Sequence, residues 1–210
     1  RLDLRFLSGI KPEFGLDLIG LPMHKDSKHT DLIYVSSLLH GYVVSSKFRE
    51  LLEQFKLPPH KFYKVTFYQP NKKTGEINEV SGYWYFYFEK ETGENTIDFV
   101  NSDFDRSFHR KYLNLKDTDL PVGSYEDYLN IYNNGYKTLR AKKLVFNKNF
   151  DTNLDFWGFR FLSVKDYISL KLLNAIENKK ITGIRTISME RANQVAQIVG
   201  DVFSELVFPN

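Results

Sequence analysis

The sequence predicts an α+β fold: an antiparallel or mixed sheet with a few short helices, closed by a C-terminal amphipathic helix. Three observations carry that expectation. Phe62–Tyr68 and Tyr83–Phe88 alternate with the period of a strand, while residues 48–55 and 125–132 place apolar side chains at helical spacing. The third is a strand–helix–strand order that occurs twice.

Residues 1–30 carry Gly9, Pro12, Gly15, Gly20 and Pro22, which leave room only for short pieces. This stretch reads as an irregular N-terminal arm with space for one strand. Residues 31–210 read as a single α+β domain, or as two packed lobes of about 31–120 and 121–210. Asp31–Val35 fits either a strand or the start of a short helix ending before Gly41.

Gly41–Ser46 is a short strand entering a helix, with Ser46 the expected N-cap. Phe48, Leu51, Leu52 and Phe55 follow on one helical face, and Pro58-Pro59 stops the helix. Phe62–Tyr68 is a half-buried strand, with Asn71–Gly75 as its turn. Tyr83–Phe88 is the strongest strand signal. It sets Trp84, Phe86 and Phe88 on one face, assigned to the core. Tyr83, Tyr85 and Tyr87 lie on the other, which is either a second buried side or a half-exposed surface.

A turn at Thr92-Gly93 leads to Thr96–Val100, expected as the partner strand of an antiparallel hairpin. Ser124–Asp127 reads as a capping box, continued by Tyr125, Tyr128, Leu129 and Tyr132, with Asn133-Asn134-Gly135 ending that helix. Lys143–Phe146 is a further strand. Met189, Ala192, Val195, Val199, Val202 and Leu206 form the stripe of the expected closing helix, with only Gly200 against it.

The doubled unit rests on an ungapped match of Gly41–Ser46 with Gly158–Ser163: Gly, aromatic, any, apolar, any, Ser. A helix and then a strand follow each, around Phe62–Phe67 and Ile184–Ile187. Duplication explains this, and so does the common grammar of a strand entering a capped helix.

Composition bounds the function. A hydrophobic share of 42% and a charged share of 26% suit a globular chain rather than a disordered one. Thirteen Tyr and 18 Phe against 2 Met suit cores and binding faces alike. Cysteine is absent, which removes disulfides, thiolate metal sites and Cys nucleophiles and leans towards a reducing compartment. No run of about 18 apolar residues exists to span a membrane. The chain opens at Arg1 rather than Met, so an upstream natural start is expected and a cleaved signal peptide stays open. The net charge of +3 is interspersed, and the pairs Lys142-Lys143 and Lys179-Lys180 are too short for a nucleic-acid patch.

Catalytic patterns are sparse. His24, His29, His40, His60 and His109 include no zinc-helix pair. His24 and His29 beside Asp31 sit in a polar loop where solvation is the default. No nucleophile elbow or phosphate loop is present. Asp98, Asp103 and Asp105 are the densest acidic set, readable as acid–base chemistry but better as turn chemistry. Thr182-Gly183 and Trp157-Gly158 read as turns. No catalytic residue, metal ligand or cofactor is assigned.

The order of Gly41–Ser46, the tyrosine-rich Tyr83–Phe88 strand and Ile97-Asp98-Phe99 with Ser102-Asp103-Phe104 opens a wider pattern. It continues through Leu144-Val145-Phe146, Phe156–Ser163 and Ile181–Arg185. The pattern resembles the immunity proteins of bacterial polymorphic toxin systems, a family first catalogued as a domain of unknown function. The resemblance spans roughly residues 31–190. It implies a cytoplasmic, non-enzymatic antidote that binds a cognate protein toxin and blocks it; a monomer or weak homo-oligomer is expected. Immunity proteins against cationic nucleases are often acidic. At +3, this chain either faces another kind of toxin or steers with a local patch such as Asp98, Asp103 and Asp105. Tyr83, Tyr85 and Tyr87 are the aromatic candidates for the binding face, an expectation that burial of their hydroxyls overturns. Two alternatives remain: a hydrolase-like enzyme, which needs a pocket where carboxylates and a histidine converge, and a self-associating structural module.

Overall fold

The computed structural model describes residues 18–33, 35, 41–105, 122–133, 140–160, 166–184, 186–188, 195–198 and 205–207. The fold is α+β, a mixed five-stranded sheet beside two smaller sheets, with short helices. The first sheet is built from β1 (Leu18–Pro22), β2 (Leu32–Ile33), β3 (Gly41–Ser45), β4 (His60–Pro70) and β5 (Ile77–Phe88), in the order β1-β4-β5-β3-β2. Helix α1 (Ser46–Leu52) leaves β3 directly. The third sheet, in the order β12-β7-β6, joins β6 (Asp103–Asp105), β7 (Arg140–Val145) and β12 (Glu205–Val207) near α2 (Tyr125–Asn133). The second sheet comprises β8 (Phe156–Gly158), β9 (Asp166–Ser169), β10 (Thr186–Ser188) and β11 (Val195–Ile198), with α3 (Leu170–Asn178) leaving β9. No helix among the described residues is long and apolar enough to cross a membrane.

The doubled unit is real in the backbone, but its register differs from the one read in the sequence. Sheet order β4-β5-β3-β2 in the first unit recurs as β10-β11-β9-β8 in the second. Leu32 and Ile33 pair with Val44 and Val43, as Phe156 and Trp157 pair with Ile168 and Tyr167. Ser45 faces Tyr83, as Ser169 faces Val195. Equivalent residues therefore stand 124 positions apart, the separation of Tyr42 and Asp166. Gly158 belongs to β8, not to the strand that enters the helix, and Ser163 lies outside the described residues. The Gly-aromatic pattern misplaced the match because the register is set by the serine that caps each helix.

That serine is Ser45 rather than Ser46. Ser45 keeps an extended backbone (φ −67°, ψ 161°), and its Oγ accepts the Phe48 N–H at 3.2 Å. Ser46 is the first helical residue; its hydroxyl accepts from the Trp84 indole and donates to the Gly82 carbonyl. Ser169 repeats the cap at φ −66°, ψ 156°, accepting from Leu172 N–H at 3.1 Å. Phe48, Leu51 and Leu52 of α1 and Leu172, Leu173 and Ile176 of α3 share one core with Phe86, Phe88 and Phe156. Each helix is too short to hold itself in water, so burial of this shared face stabilises both.

Three further expectations are corrected. Thr96–Val100 does not pair with β5, which β4 and β3 flank at Tyr83–Tyr87; Ile97 instead bridges Phe146. Trp157-Gly158 is strand rather than turn. Within the expected closing helix, residues 195–198 and 205–207 are strands: β11 supplies the partner that β9 needs, and β12 runs parallel to β7. Val195, Ile198 and Val207 are β-branched, which suits a ladder better than a helix. The rest of that stretch, with Met189, Ala192, Val199, Gly200 and Val202, lies outside the described residues, as do Asn134 and Gly135. The Ser124 cap holds: its Oγ accepts Asp127 N–H at 3.0 Å, and the Asp127 carboxylate reaches back to Gly123 N–H.

Candidate functional site

The tyrosine face is core. Tyr83, Tyr85 and Tyr87 are 6%, 0% and 0% exposed, packed under Val43, Val65, Phe67, Leu18 and Met23. The Tyr83 hydroxyl donates to the Thr30 carbonyl at 3.1 Å. Burial pushes the Tyr87 hydroxyl up to about 12 and raises Tyr85 further. Buried rings this deep cannot meet a partner, so the expectation that they form a binding face is corrected. The signal was in the strand itself: six successive aromatic residues leave no polar face for water.

Asp98 is a turn residue. Its carboxylate accepts the Asn101 side chain at 2.7 Å and Asn101 N–H at 3.1 Å, and these bonds hold the carboxyl below its ordinary value. Ser102 locks the turn to β7 by donating to the Asp98 carbonyl and accepting Val145 N–H. Asp103 is exposed and stands opposite Lys143 in the β6–β7 ladder; Asp105 stands opposite Arg140. The histidine loop gathers no metal donors: His29 bonds Gln69 at 2.7 Å, and Asp31 is engaged elsewhere. Among the described residues no three His, Asp or Glu side chains converge as a metal ion requires.

Two aspartates, half-buried Asp31 and buried Asp155, organise the molecule. Asp31 accepts the Ser45 hydroxyl at 2.7 Å, and Asp155 accepts the Ser169 hydroxyl at 2.6 Å, each pair 14 residues apart. Ser45 N–H donates to the Asp31 carbonyl and Ser169 N–H to that of Asp155. Lys47 and Lys171 stand 3.6 and 3.7 Å from the matching carboxylates. The remaining donors cross between units. Thr182, just past α3, gives its N–H and hydroxyl to Asp31; Lys56, just past α1, gives its N–H to Asp155. Burial opposes the charge of Asp31, but the Ser45 and Thr182 hydrogen bonds and Lys47 outweigh it and hold the carboxyl below its ordinary value. The recurring Asp–Ser spacing of 14 was the available signal.

Where the units meet, equivalent positions touch. The Tyr42 hydroxyl donates to Asp166 Oδ2 at 2.6 Å, and Lys90 Nζ reaches Asp166 Oδ1 at 2.7 Å. Side chains of Lys90 and Asp166 are 11% and 5% exposed, so this is an internal ion pair. Gly158 makes room for it, since a methyl group there would overlap the Asp166 carboxylate.

The open surface lies elsewhere. β4 and β5 run 11 and 12 residues, but β3 covers β5 only at Tyr83–Tyr87, so the hairpin overhangs the sheet. On the face opposite the tyrosine core it exposes Tyr68 (41%) and Ile77 (62%), with Ile19 of β1 (65%) alongside. Alternation fixes the face: Leu18 and Phe67 point into the tyrosine core, so Ile19 and Tyr68 point away, and Ile77 shares Tyr68's side through Pro70. Tyr68 lies over Gly20, whose φ of +82° and missing Cβ admit the ring. The sequence hint was a lone Ile77 within a polar run, Asn71–Glu79, a strand lacking a buried side. No protein-family model matches this chain, and no curated protein or solved structure is significantly similar to it.

Proposed function

We propose that this chain is an immunity-type protein of a bacterial polymorphic toxin system, which neutralises a cognate toxin in the cytoplasm by direct contact. The observation that carries the reading is the overhanging hairpin. It exposes Tyr68 and Ile77, with Ile19 of β1 on the same face, whereas the matching strands of the second unit, β10 and β11, pair over three residues among those described. Exposed apolar groups clustered on one face favour a protein partner. The hydrogen-bonded carboxylates support the same reading from the other side. Asp31, Asp155 and Asp166 are committed to helix caps and an internal ion pair, so none stands free for acid–base work. The resemblance to immunity proteins supplies the class of partner.

The test is co-expression with the toxin domain encoded beside this chain, scored as growth. The wild-type chain restores growth, and Tyr68→Asp with Ile77→Asp loses rescue while remaining folded by circular dichroism. Failure of the wild-type chain to rescue against any neighbouring toxin overturns the reading.

A further inference from the structure

The overhang also leaves one strand edge open. β4 pairs with one side of β5 along its length, but among the described residues no strand pairs with the other side of Ile77–Ser81. Asn71 N–H donates to the Glu76 carbonyl at 2.7 Å, which sets the phase of the ladder. Antiparallel alternation then turns Asn78 and Val80 towards β4 and directs the N–H and C=O groups of Ile77, Glu79 and Ser81 outward. All three residues are exposed. The edge ends at Gly82, where a φ of +82° and a shifted register hand β5 over to β3.

We propose that this edge docks an extended segment of a partner protein, which adds as a further strand beside Ile77–Ser81 with a basic residue opposite Glu79. Main-chain hydrogen bonds to the three outward residues supply the register, and side chains supply the selectivity. Ile77, Glu79 and Tyr68 share one face, since Tyr68 pairs with Glu79 and Pro70 with Ile77. The incoming strand therefore presents an apolar residue towards Ile77 and a cation two positions away, towards Glu79. A second copy of this chain is a poor occupant. Antiparallel self-pairing centred on the segment sets Glu79 against Glu79, and like charges directly opposite destabilise a ladder. Lys64 and Trp84 of the first unit are the counterparts of Ser188 and Ala196, and the chain between the latter two is far too short to build such an overhang. The frame therefore closes without it.

The inference rests on the immunity reading only for the partner being a toxin, and the experiment separates the two. Backbone amide shifts and hydrogen exchange of the full chain are followed while adding two synthetic seven-residue strand peptides. They are identical except for Lys or Glu at the position facing Glu79. The Lys peptide is expected to shift and protect the amides of Ile77, Glu79 and Ser81. It should bind about fivefold more tightly than the Glu peptide, the upper range for a cross-strand charge pair. Glu79→Lys should reverse that order. The same three amides should gain protection in the complex with a rescued toxin. If neither peptide affects them, or Glu79→Lys leaves the order unchanged, the proposal is overturned even where rescue succeeds. Protection that grows with protein concentration alone makes the edge a self-interface and also overturns it. If the peptides bind as expected but no neighbouring toxin is rescued, the edge stands and the immunity reading falls.

Discussion

The two units solve one folding problem with different side chains. In each, an aspartate ends the loop before a short strand, and a serine 14 residues on caps a helix while bonding that aspartate. In each, the loop after the helix crosses to hold the other unit's aspartate. What differs is what surrounds this frame. The first unit has an aromatic sheet buried on both faces and a long hairpin; the second has strands of 3 and 4 residues in the matching places. The conserved geometry marks what the fold needs, and the elaboration marks what is open to function.

The frame is most fragile where its pseudo-symmetry breaks. Tyr42 and Asp166 are equivalent positions, yet one is a phenol and the other a carboxylate that needs Lys90. Asp166→Ala leaves the ammonium of Lys90 buried without its partner, so a loss of about 3–5 kcal/mol is expected in urea unfolding. The combined change Asp166→Leu with Lys90→Met removes both charges and should recover a large part of that loss. A double variant as unstable as Asp166→Ala would show that the contact between units, rather than the buried charge, dominates.

A smaller effect tests whether the caps are equivalent. Asp31→Ala and Asp155→Ala each remove hydrogen bonds to a charged acceptor and should cost about 1–3 kcal/mol. Asp31 should be the costlier, since Thr182 gives it two hydrogen bonds where Lys56 gives Asp155 one. Equal losses would mean that the helix caps carry the energy and the crossing bonds do not.

The same site makes a pH prediction. The Asp31 carboxyl titrates below its ordinary value in the fold, so its contribution is fully present above the unfolded-state value, about 3.9. It is lost as pH falls through the folded-state value. The stability gap between wild type and Asp31→Asn, read from denaturant midpoints, should therefore narrow below about pH 4 and stay constant above it. A gap that holds constant into acid would show that the charge of Asp31 is not what its partners select.

Much of this architecture was legible because local patterns and tertiary structure agreed. The alternation at Phe62–Tyr68 and Tyr83–Phe88, the Phe48, Leu51 and Leu52 face of α1 and the turn at Asn71–Gly75 all became what their spacing implied, although α1 ends at Leu52, short of Phe55 and of Pro58-Pro59. The C-terminal stripe misled because a set of apolar positions fits two periods, and the choice fell to a distant vacancy beside β9. The binding-face tyrosines misled for a related reason. Whether an aromatic strand is covered on one side or both depends on Leu18 and Met23, supplied by the arm before it. The twin aspartates left only the Asp–Ser spacing of 14 as a local trace, since their crossing partners Thr182 and Lys56 come from the other half of the chain.

The smallest effect on stability should come from the overhang, and there the comparison between units is sharpest. Tyr68→Ser and Ile77→Ser remove exposed apolar groups that the frame does not bury, at 41% and 62% exposure. Each should change stability by no more than about 0.5 kcal/mol, the range for surface positions away from caps and cores. Ile176→Ala in α3, which loses buried contacts in the shared core, should cost about 2–5 kcal/mol. In the growth assay the order should invert: the two surface variants lose protection against the toxin, while the destabilised core variant keeps it at temperatures where it stays folded. If Tyr68→Ser and Ile77→Ser protect as well as wild type, the elaboration of the first unit is not the contact surface, and the partner must be sought on the frame that both units share.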